Sequence, residues 1–227
     1  MDVLQTIPPF TRVYGIVVLA LGLIVSINIV SPYSLVFIPE LVLKQPWRLL
    51  TSPFFIGKLD VNFLISIGTS VMMLQQFESQ HFSHRLSNLV FIFVFSSILS
   101  MIFSAIFGSY SIASSVLTSL IYISSKLQPN QIINLFFVFQ IPAAYYPFVS
   151  LVLSLVMGNS IIPSLIGIAS GHFLFYFLFI LPIETGRPLF KCPNFLARLL
   201  DGEPNPAQHQ QHQRQNPLQG RGRRIGE

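Results

Sequence analysis

Six apolar segments of helical length, separated by short polar or proline-containing connections, dominate the first 183 residues. They cover residues 13–30, 61–77, 86–107, 111–125, 143–157 and 159–182. A helix lets such a segment satisfy its backbone hydrogen bonds in lipid. The two shortest segments, residues 111–125 and 143–157, are below the roughly 20 residues of an ordinary span, so we expect those helices to be buried, short and tilted, or set in a thinned bilayer. Residues 127–141 are predicted to form a partly irregular hydrophobic connection, because Pro142 and Pro147 follow it.

The connection between the first two segments, residues 32–60, differs from a plain water-exposed loop. It is rich in proline and in large apolar residues, and it contains Trp47 and Arg48. This composition predicts short helices in the membrane interface, with Trp47 at headgroup level and Arg48 either snorkelling or bonding backbone carbonyls. We therefore take Trp47 and Arg48 as candidate residues for a bilayer-perturbing, substrate-facing loop, with simple interfacial anchoring as the alternative.

The last apolar segment carries small residues at helical spacing. On a helix, Gly167 and Gly171 share one face with Pro163, and Ser164 lies alongside. Another helix can approach such a face almost to backbone contact. His172 lies in the same apolar run, and an imidazole at that depth must find a partner or line a wet cavity, since lipid offers neither.

Composition supports a membrane protein and excludes a soluble domain. The chain is 52% hydrophobic and 9% charged, with a mean hydropathy of +0.65. Between residues 86 and 183 the only charged residue is Lys126. The single cysteine, Cys192, excludes an internal disulfide framework and suggests a reducing compartment. The sequence therefore predicts an all-α, multi-pass membrane protein.

The distribution of charge predicts the orientation. Six spans place both termini on one side of the membrane. The loops of that side hold most of the basic residues, namely Arg12, Arg85, Lys126 and seven basic residues after the last span. The opposite side holds Lys44, Arg48 and Lys58, whose charge is partly offset by Glu40 and Asp60. The positive-inside rule then predicts that both termini are cytosolic.

The chain changes character after residue 183. We divide it into a membrane domain of residues 1–183, an interfacial segment of residues 184–201 and a disordered cytosolic tail of residues 202–227. In the interfacial segment, Phe195, Leu196, Leu199 and Leu200 share one helical face. The tail has too little apolar material for a core. His209 and His212 have no thiolate or carboxylate spaced around them, so no metal site is predicted, and no cofactor or nucleic-acid module is predicted either.

A series of short motifs extends over almost the whole chain. They are Ile7-Pro8-Pro9, Thr11-Arg12, Tyr14, Ser31-Pro32, Pro39-Glu40-Leu41-Val42, Trp47-Arg48-Leu49, Glu78, Phe82, Arg85, Ile121-Tyr122, Gly158-Asn159-Ser160-Ile161, Gly167-Ile168-Ala169, Gly171-His172, Phe195-Leu196 and Arg198-Leu199-Leu200. In their order and spacing these motifs resemble the Derlin family, the rhomboid pseudoproteases of the endoplasmic reticulum. The acidic pair usual after the glycine–histidine motif is absent, and Leu178 and Phe179 stand in its place.

The resemblance implies a six-helix rhomboid-like fold in the endoplasmic-reticulum membrane. It implies a non-catalytic role in endoplasmic-reticulum-associated degradation, in which misfolded proteins are moved to the cytosol through local bilayer thinning and a lateral opening. The implied partners are misfolded clients, a membrane ubiquitin ligase, a cytosolic valosin-containing AAA ATPase and the bilayer. The sequence leaves open whether the chain also assembles as a homo-oligomer.

The resemblance also implies a binding motif near the end of the tail. Leu218, Gly220, Gly222 and Ile225 suit an extended peptide that buries an apolar residue at each end. The arrangement resembles the SHP box through which some Derlins bind the AAA ATPase, although Leu218 stands where the family has Phe. A basic tail that touches anionic lipid or RNA is the alternative.

Two other functional classes are weighed against this one. An active rhomboid protease would need a serine activated by a histidine; His172 stands at the vestigial rhomboid position, whereas the Gly108-Ser109-Tyr110-Ser111 stretch lacks the G-x-S-G pattern. A transporter or channel would need charged groups inside the spans, and the span interiors lack carboxylates. Both are disfavoured.

Overall fold

The computed structural model describes residues 7–82, 85–135, 139–156, 158–185 and 193–201. Ten α-helices lie within these ranges: α1 Pro9–Ser26, α2 Pro32–Leu35, α3 Trp47–Thr51, α4 Val61–His81, α5 Leu86–Phe107, α6 Ile112–Leu127, α7 Tyr146–Val156, α8 Ile162–Phe175, α9 Leu181–Thr185 and α10 Asn194–Leu200. A π-helical turn, Tyr176–Ile180, joins α8 to α9, and short 3-10 turns cover Pro39–Leu41 and Ala143–Tyr145. Each of the six predicted apolar segments corresponds to one of α1, α4, α5, α6, α7 and α8.

The ends of these helices follow local sequence signals. The Asp60 carboxylate accepts a hydrogen bond of 2.6 Å from the Phe63 amide and caps the start of α4. At the other end of the next helix, Gly108 adopts a left-handed conformation, with φ of 68°, and terminates α5.

Three helices of the described residues are long and apolar enough to cross a membrane. They are Pro9–Ser26, Leu86–Phe107 and Ile162–Glu184, while Ile112–Leu127 and Ala143–Val156 are shorter apolar helices. Glutamine and glutamate in the last turns of α4 lower the apolar character of that helix. A multi-span membrane protein is thus confirmed, whereas the number of six crossings stays a prediction.

The two shorter apolar helices, α6 and α7, differ in how deeply they are buried. Ten of the 16 residues of α6 are buried, because α6 lies at the centre of the molecule against α4, α5, α7 and α8. The expectation that a short span is buried is therefore correct for α6. In contrast, the only buried residues of α7 are Tyr146 and Pro147, both in its first turn.

The connection between α6 and α7 is not irregular as predicted. Its described residues form an antiparallel hairpin of β1, Ile132–Leu135, and β2, Phe139–Pro142, with Ile133 opposite Ile141. Pro142 is accommodated because it occupies the last position of its strand. The alternation of an exposed Ile132 and a buried Ile133 places one face of the hairpin on the helices.

Two carboxylates tie distant parts of the chain to helix N-termini. Glu78, which is 2% exposed, accepts hydrogen bonds from the Phe10 amide at 2.9 Å, the Thr11 amide at 2.8 Å and the Thr11 hydroxyl at 2.7 Å. It therefore satisfies amides that the first turn of α1 leaves unpaired. Asp201 accepts from the amide of Ser87 at 3.0 Å and from its hydroxyl, which anchors the end of α10 at the start of α5.

Candidate functional site

A cleft whose lining combines apolar side chains with many hydroxyl groups lies between α4, α6, α7 and the first turn of α8. It consists of two adjoining compartments of about 160 and 360 Å³. Both compartments are lined by Ile56, Asn62, Ser66, Ser114, Ser154, Asn159 and Ser164. Hydroxyl and amide groups are therefore part of the wall of both compartments.

Several hydroxyl groups of the cleft donate their protons to carbonyls of their own helices. Thr69 donates to the Ile65 carbonyl at 2.8 Å, and Thr118 donates to the Ser114 carbonyl at 2.9 Å. Ser154 donates to a carbonyl one turn earlier at 2.9 Å. Each hydroxyl oxygen keeps lone pairs that can accept, so these groups offer acceptors to a guest.

The two ends of the cleft differ in exposure. Lys58, Asp60 and Asn159 line the end next to the start of α4, and all three are exposed. At the hairpin end, Ile133 is 6% and Tyr146 is 2% exposed. The lining extends along α4 from position 62 to position 77, which is roughly 22 Å of helix. The cleft thus has an exposed mouth and a buried end.

Arg48 organises the loop that leads to this mouth. Its side chain is 3% exposed; it donates to the carbonyl of Tyr33, to the carbonyl of Val36 at 2.6 Å and to the Gln45 side chain at 2.7 Å. Of the two arrangements expected from the sequence, the structure has carbonyl bonding instead of snorkelling. The guanidinium group therefore joins α2 and α3 across the loop.

Trp47 lies beside Arg48 but faces outward. Its indole nitrogen donates to the Ser34 carbonyl at 3.3 Å, while the side chain is 49% exposed. An indole that is half-buried and bonded at its polar edge suits the membrane interface.

The two glycines of α8 contact the backbone of α6. A Cβ atom at Gly167 would lie 2.6 Å from the Ser115 carbonyl oxygen, and one at Gly171 would lie 2.8 Å from the Ser119 carbonyl oxygen. Side chains at both positions are excluded by backbone atoms, which cannot move aside as flexible side chains do. The close helix approach predicted from these glycines is present, and α6 is the partner helix.

His172 bonds the same helix. Its Nδ1 atom lies 2.8 Å from the Tyr122 hydroxyl. The glycine contacts show that α6 and α8 run in the same direction, and Ser111 precedes Tyr122 by eleven residues, about 16 Å along a helix. The Ser111 hydroxyl instead donates to that of Ser114 at 3.1 Å. The structure therefore does not bring together the serine and histidine that a rhomboid protease would use.

Several structural residues were not singled out from the sequence. Tyr122 and Glu78 stand among the motifs that resemble the Derlin family, but their roles depend on contacts between distant helices. The role of Asp201 could not be recognised from the sequence, since a lone acidic residue before a polar tail is usually solvated. The tail residues Leu218, Gly220, Gly222 and Ile225 lie outside the described ranges.

Comparison with known proteins agrees with this architecture. The model of the Der1-like family matches residues 7–194. Derlin-1 of Arabidopsis thaliana is 32% identical over 201 residues, which cover 86% of this chain and 75% of that protein. Derlin-1.2 of Zea mays is 28% identical, with 86% and 82% covered, and Derlin-2.1 of Arabidopsis thaliana is 28% identical, with 88% and 87% covered. The protein is a helical, rhomboid-like membrane protein, and it belongs to the Der1-like family.

Proposed function

We propose that this protein acts in endoplasmic-reticulum-associated degradation, where it helps to recognise misfolded proteins and return them across the membrane to the cytosol without catalysis. The observation that carries the proposal is the cleft between α4, α6 and α7, whose lining includes many hydroxyl groups. Membership of the Der1-like family supports the biological setting. In this proposal the protein resides in the endoplasmic-reticulum membrane with both termini cytosolic.

The chemistry of the cleft suits an unfolded guest. An unfolded chain carries backbone amides that have no partner, and each unsatisfied group costs several kcal/mol in lipid. The hydroxyl oxygens of Thr69, Thr118 and Ser154 accept hydrogen bonds without needing a fixed sequence in the guest. The backbone amides of a guest in the cleft can thus exchange hydrogen bonds to water for hydrogen bonds to these oxygens.

The dimensions of the cleft walls support local thinning of the bilayer. The 11 residues of α7 extend about 16 Å, against roughly 30 Å for the hydrocarbon core. A short wall that exposes the apolar side chains of Phe148, Val152 and Leu155 requires either a bilayer that thins beside it or lipid headgroups that reach its ends. Either response shortens the apolar distance that a polar chain must cross. The interfacial loop around Trp47 and Arg48 adds to this effect next to the mouth.

The partners in this proposal follow the family resemblance. A membrane ubiquitin ligase receives the client, and the valosin-containing AAA ATPase pulls it from the cytosolic side through the tail motif at Leu218–Ile225. Assembly with further copies of the chain is compatible with the exposed apolar surface of α5 and α8. The proposal includes no cofactor and no nucleic acid.

Intramembrane proteolysis is the second candidate function and is the weaker one. It draws on the histidine of α8 and the serines at the start of α6. His172 is bonded to Tyr122, and Ser111 is bonded to Ser114. Neither arrangement provides the activated nucleophile that acyl transfer requires.

The decay of a misfolded lumenal client in cells that lack this protein tests the proposal. The intact chain should restore decay, whereas the triple variant Ser66→Ala, Thr69→Val and Ser150→Ala should not, because it removes acceptors from the cleft without changing its size much. The matched control is Ser97→Ala with Ser125→Ala, which removes two buried, helix-bonded hydroxyls outside the lining described for the cleft.

Equal decay with the cleft variant and the control would remove the cleft from the mechanism. Accumulation of a discrete client fragment that is lost in His172→Ala would favour the protease instead. Both outcomes are read from the same gel, since the client and its fragments are separated by size.

A further inference from the structure

We propose that Lys126 and His172 form a binding site for the phosphate group of an anionic phospholipid, in the membrane leaflet at the end of α6. This goes beyond the proposed role in degradation, because it assigns a ligand to residues that do not line the cleft. The inference rests on the support that both residues share, on the charge around them and on the depth at which α6 ends.

Tyr122 of α6 brings the two nitrogen-containing side chains together. The Lys126 ammonium group lies 5.5 Å from the centre of the Tyr122 ring. The centre of the His172 ring lies 5.8 Å from the same point, and its Nδ1 atom lies 2.8 Å from the Tyr122 hydroxyl. Tyr122 is 7% exposed, whereas Lys126 and His172 are both exposed. The phenol ring is thus a buried support for two exposed polar side chains.

The tyrosine contact determines which group His172 offers to a ligand. A cation over the face of a phenol ring draws on its electrons, so Lys126 makes the Tyr122 hydroxyl the better donor. We therefore assign the Tyr122 hydroxyl as the donor and His172 Nδ1 as the acceptor. A neutral imidazole that accepts at Nδ1 carries its proton at Nε2. The exposed side chain then presents an N–H donor, which a phosphate oxygen can accept.

The charge around the two residues favours an anionic ligand. In the part of the chain that the structure describes, Lys126 makes no ion pair and His172 bonds Tyr122 alone. An ammonium group and an imidazole N–H supply donors and positive charge without a carboxylate to receive a cationic headgroup. Basic sites between membrane helices bind anionic headgroups for this reason.

The length of α6 explains how a headgroup reaches these residues. Gly171 of α8 lies against the turn of α6 that ends at Tyr122, so the parallel α6 ends level with the π-helical turn of its neighbour. That neighbour continues to Thr185, roughly 10 Å farther along its axis. Lys126 is therefore a charge held below the level that the adjacent helix reaches, where it needs a partner.

A lipid phosphate drawn inward at this place supplies that partner. Its acyl chains would lie against the apolar surface beside His172, where Phe173 is 47% and Tyr176 is 39% exposed. Its headgroup would lie deeper than the headgroups of the surrounding lipids, so that the leaflet is thinner beside α6. The site therefore acts on the bilayer through one bound lipid.

Titration of the full-length protein with phosphatidylinositol tests the site. Native mass spectrometry of the protein in a neutral detergent separates species by the number of lipids bound and gives the Kd of the first one. Lys126→Gln and His172→Asn should each raise this Kd about tenfold, because each removes one charge-assisted hydrogen bond. Asparagine keeps an amide near Tyr122, but it is too short to place a donor where Nε2 lies. Diacylglycerol with the same acyl chains should bind weakly and equally to all variants.

Two further substitutions are the matched controls. His172→Gln retains a donor near the Nε2 position and should change the Kd by no more than about twofold. Arg85 is exposed and precedes α5, and α6 returns alongside α5, so Arg85 lies at the same end of the molecule as Lys126. Arg85→Gln removes the same charge away from the site and should leave the Kd unchanged.

Several results would overturn the proposal. An unchanged Kd in Lys126→Gln shows that its ammonium group does not bind the lipid, and an equal rise in Arg85→Gln shows general attraction of anionic lipid to a basic protein. Displacement of the lipid by an equal concentration of inorganic phosphate identifies a site for free phosphate. If His172→Asn melts below His172→Gln in detergent, Lys126→Gln decides alone, because its exposed side chain leaves the fold intact. No client enters this experiment, so its outcome is independent of the proposed role in degradation.

Discussion

Gly167 and Gly171 are the residues whose replacement has the clearest structural consequence. An alanine at either position would place its Cβ within 2.6 to 2.8 Å of a backbone oxygen of α6, so the two helices must separate. Overpacking of this kind destabilises a protein by about 1–3 kcal/mol. We expect Gly167→Ala and Gly171→Ala to insert normally, since insertion depends on hydropathy, but to unfold at lower temperature in detergent and to clear a client poorly.

Gly68→Ala is the control for this prediction. A Cβ at Gly68 would meet nothing within 4 Å, and the residue lies within α4. Alanine is the better helix former by about 1 kcal/mol, so stability should be unchanged or higher. Equal melting of the Gly68 and Gly171 variants would show that the α6–α8 contact is looser than the structure indicates.

Removal of the hydrogen bond between His172 and Tyr122 tests whether His172 has a structural or a catalytic role. His172→Ala and Tyr122→Phe both remove this bond, and each should lower stability by about 1 kcal/mol, the usual net value of one hydrogen bond. The double variant should cost little more than either single one. Incubation of the purified protein with a membrane substrate should yield no site-specific cleavage.

A catalytic histidine would give a different pattern. Cleavage that is abolished by His172→Ala and retained in Tyr122→Phe would contradict the structural assignment. Clients that decay normally in both single variants would agree with it.

At the scale of elements, one guanidinium group makes three hydrogen bonds within the interfacial loop. Arg48→Ala leaves the carbonyls of Tyr33 and Val36 without their charged donor, and each such bond contributes about 1.5–3 kcal/mol. We expect faster hydrogen exchange and faster proteolysis across residues 33–48. Lys44→Ala removes the same charge from the same loop at an exposed position and should change neither. If both variants behave alike, the membrane and not Arg48 holds the loop.

The helices were predictable from the sequence where a local signal exists. The bounds of α5 agree with the predicted apolar run of residues 86–107, because Gly108 ends the helix through its backbone conformation. The glycine face of α8 was also predictable, since spacing alone determines which residues share a face. The hairpin was missed because Ile132 and Ile133 are adjacent apolar residues and residues 135–139 are an unbroken apolar run, so that alternation of the two faces is not visible.

The cleft could not be predicted, for a different reason. Serine and threonine occur throughout these helices, and most donate to their own backbone wherever they lie. Only the packing of four helices distinguishes the hydroxyls that line a cavity from those that separate two helices. The roles of Glu78 and Asp201 likewise depend on which helix N-terminus each meets in space.

At the scale of the whole molecule, we propose that the tail links the membrane domain to a cytosolic partner. The peptide of residues 216–227 should bind the valosin-containing AAA ATPase, with loss of binding in Leu218→Ala and in Gly222→Val, because an extended ligand needs its apolar anchor and its close backbone approach. Fluorescence polarisation at increasing salt measures this. Moderate salt should weaken binding only slightly, since apolar anchors are not screened.

The electrostatic alternative makes the opposite prediction for this peptide. Replacing Arg221 and Arg223 by Gln should then abolish binding, while Leu218→Ala should have no effect. In that case the ATPase must be recruited through another part of the protein.

The backbone contact between α6 and α8 divides the molecule into a rigid part and a compliant part. Two helices whose carbonyls and glycines touch cannot rotate or slide independently, so α6 and α8 respond to force as one body. Opposite them, α7 is buried only through Tyr146 and Pro147. Under the proposed function, a guest that is too wide for the cleft would displace α7 outward into lipid about its first turn, which breaks the contact between the hydroxyls of Ser154 and Ser164. The largest segment that could pass would then be determined by how far the surrounding bilayer yields, and a stiffer, sterol-rich membrane should restrict it.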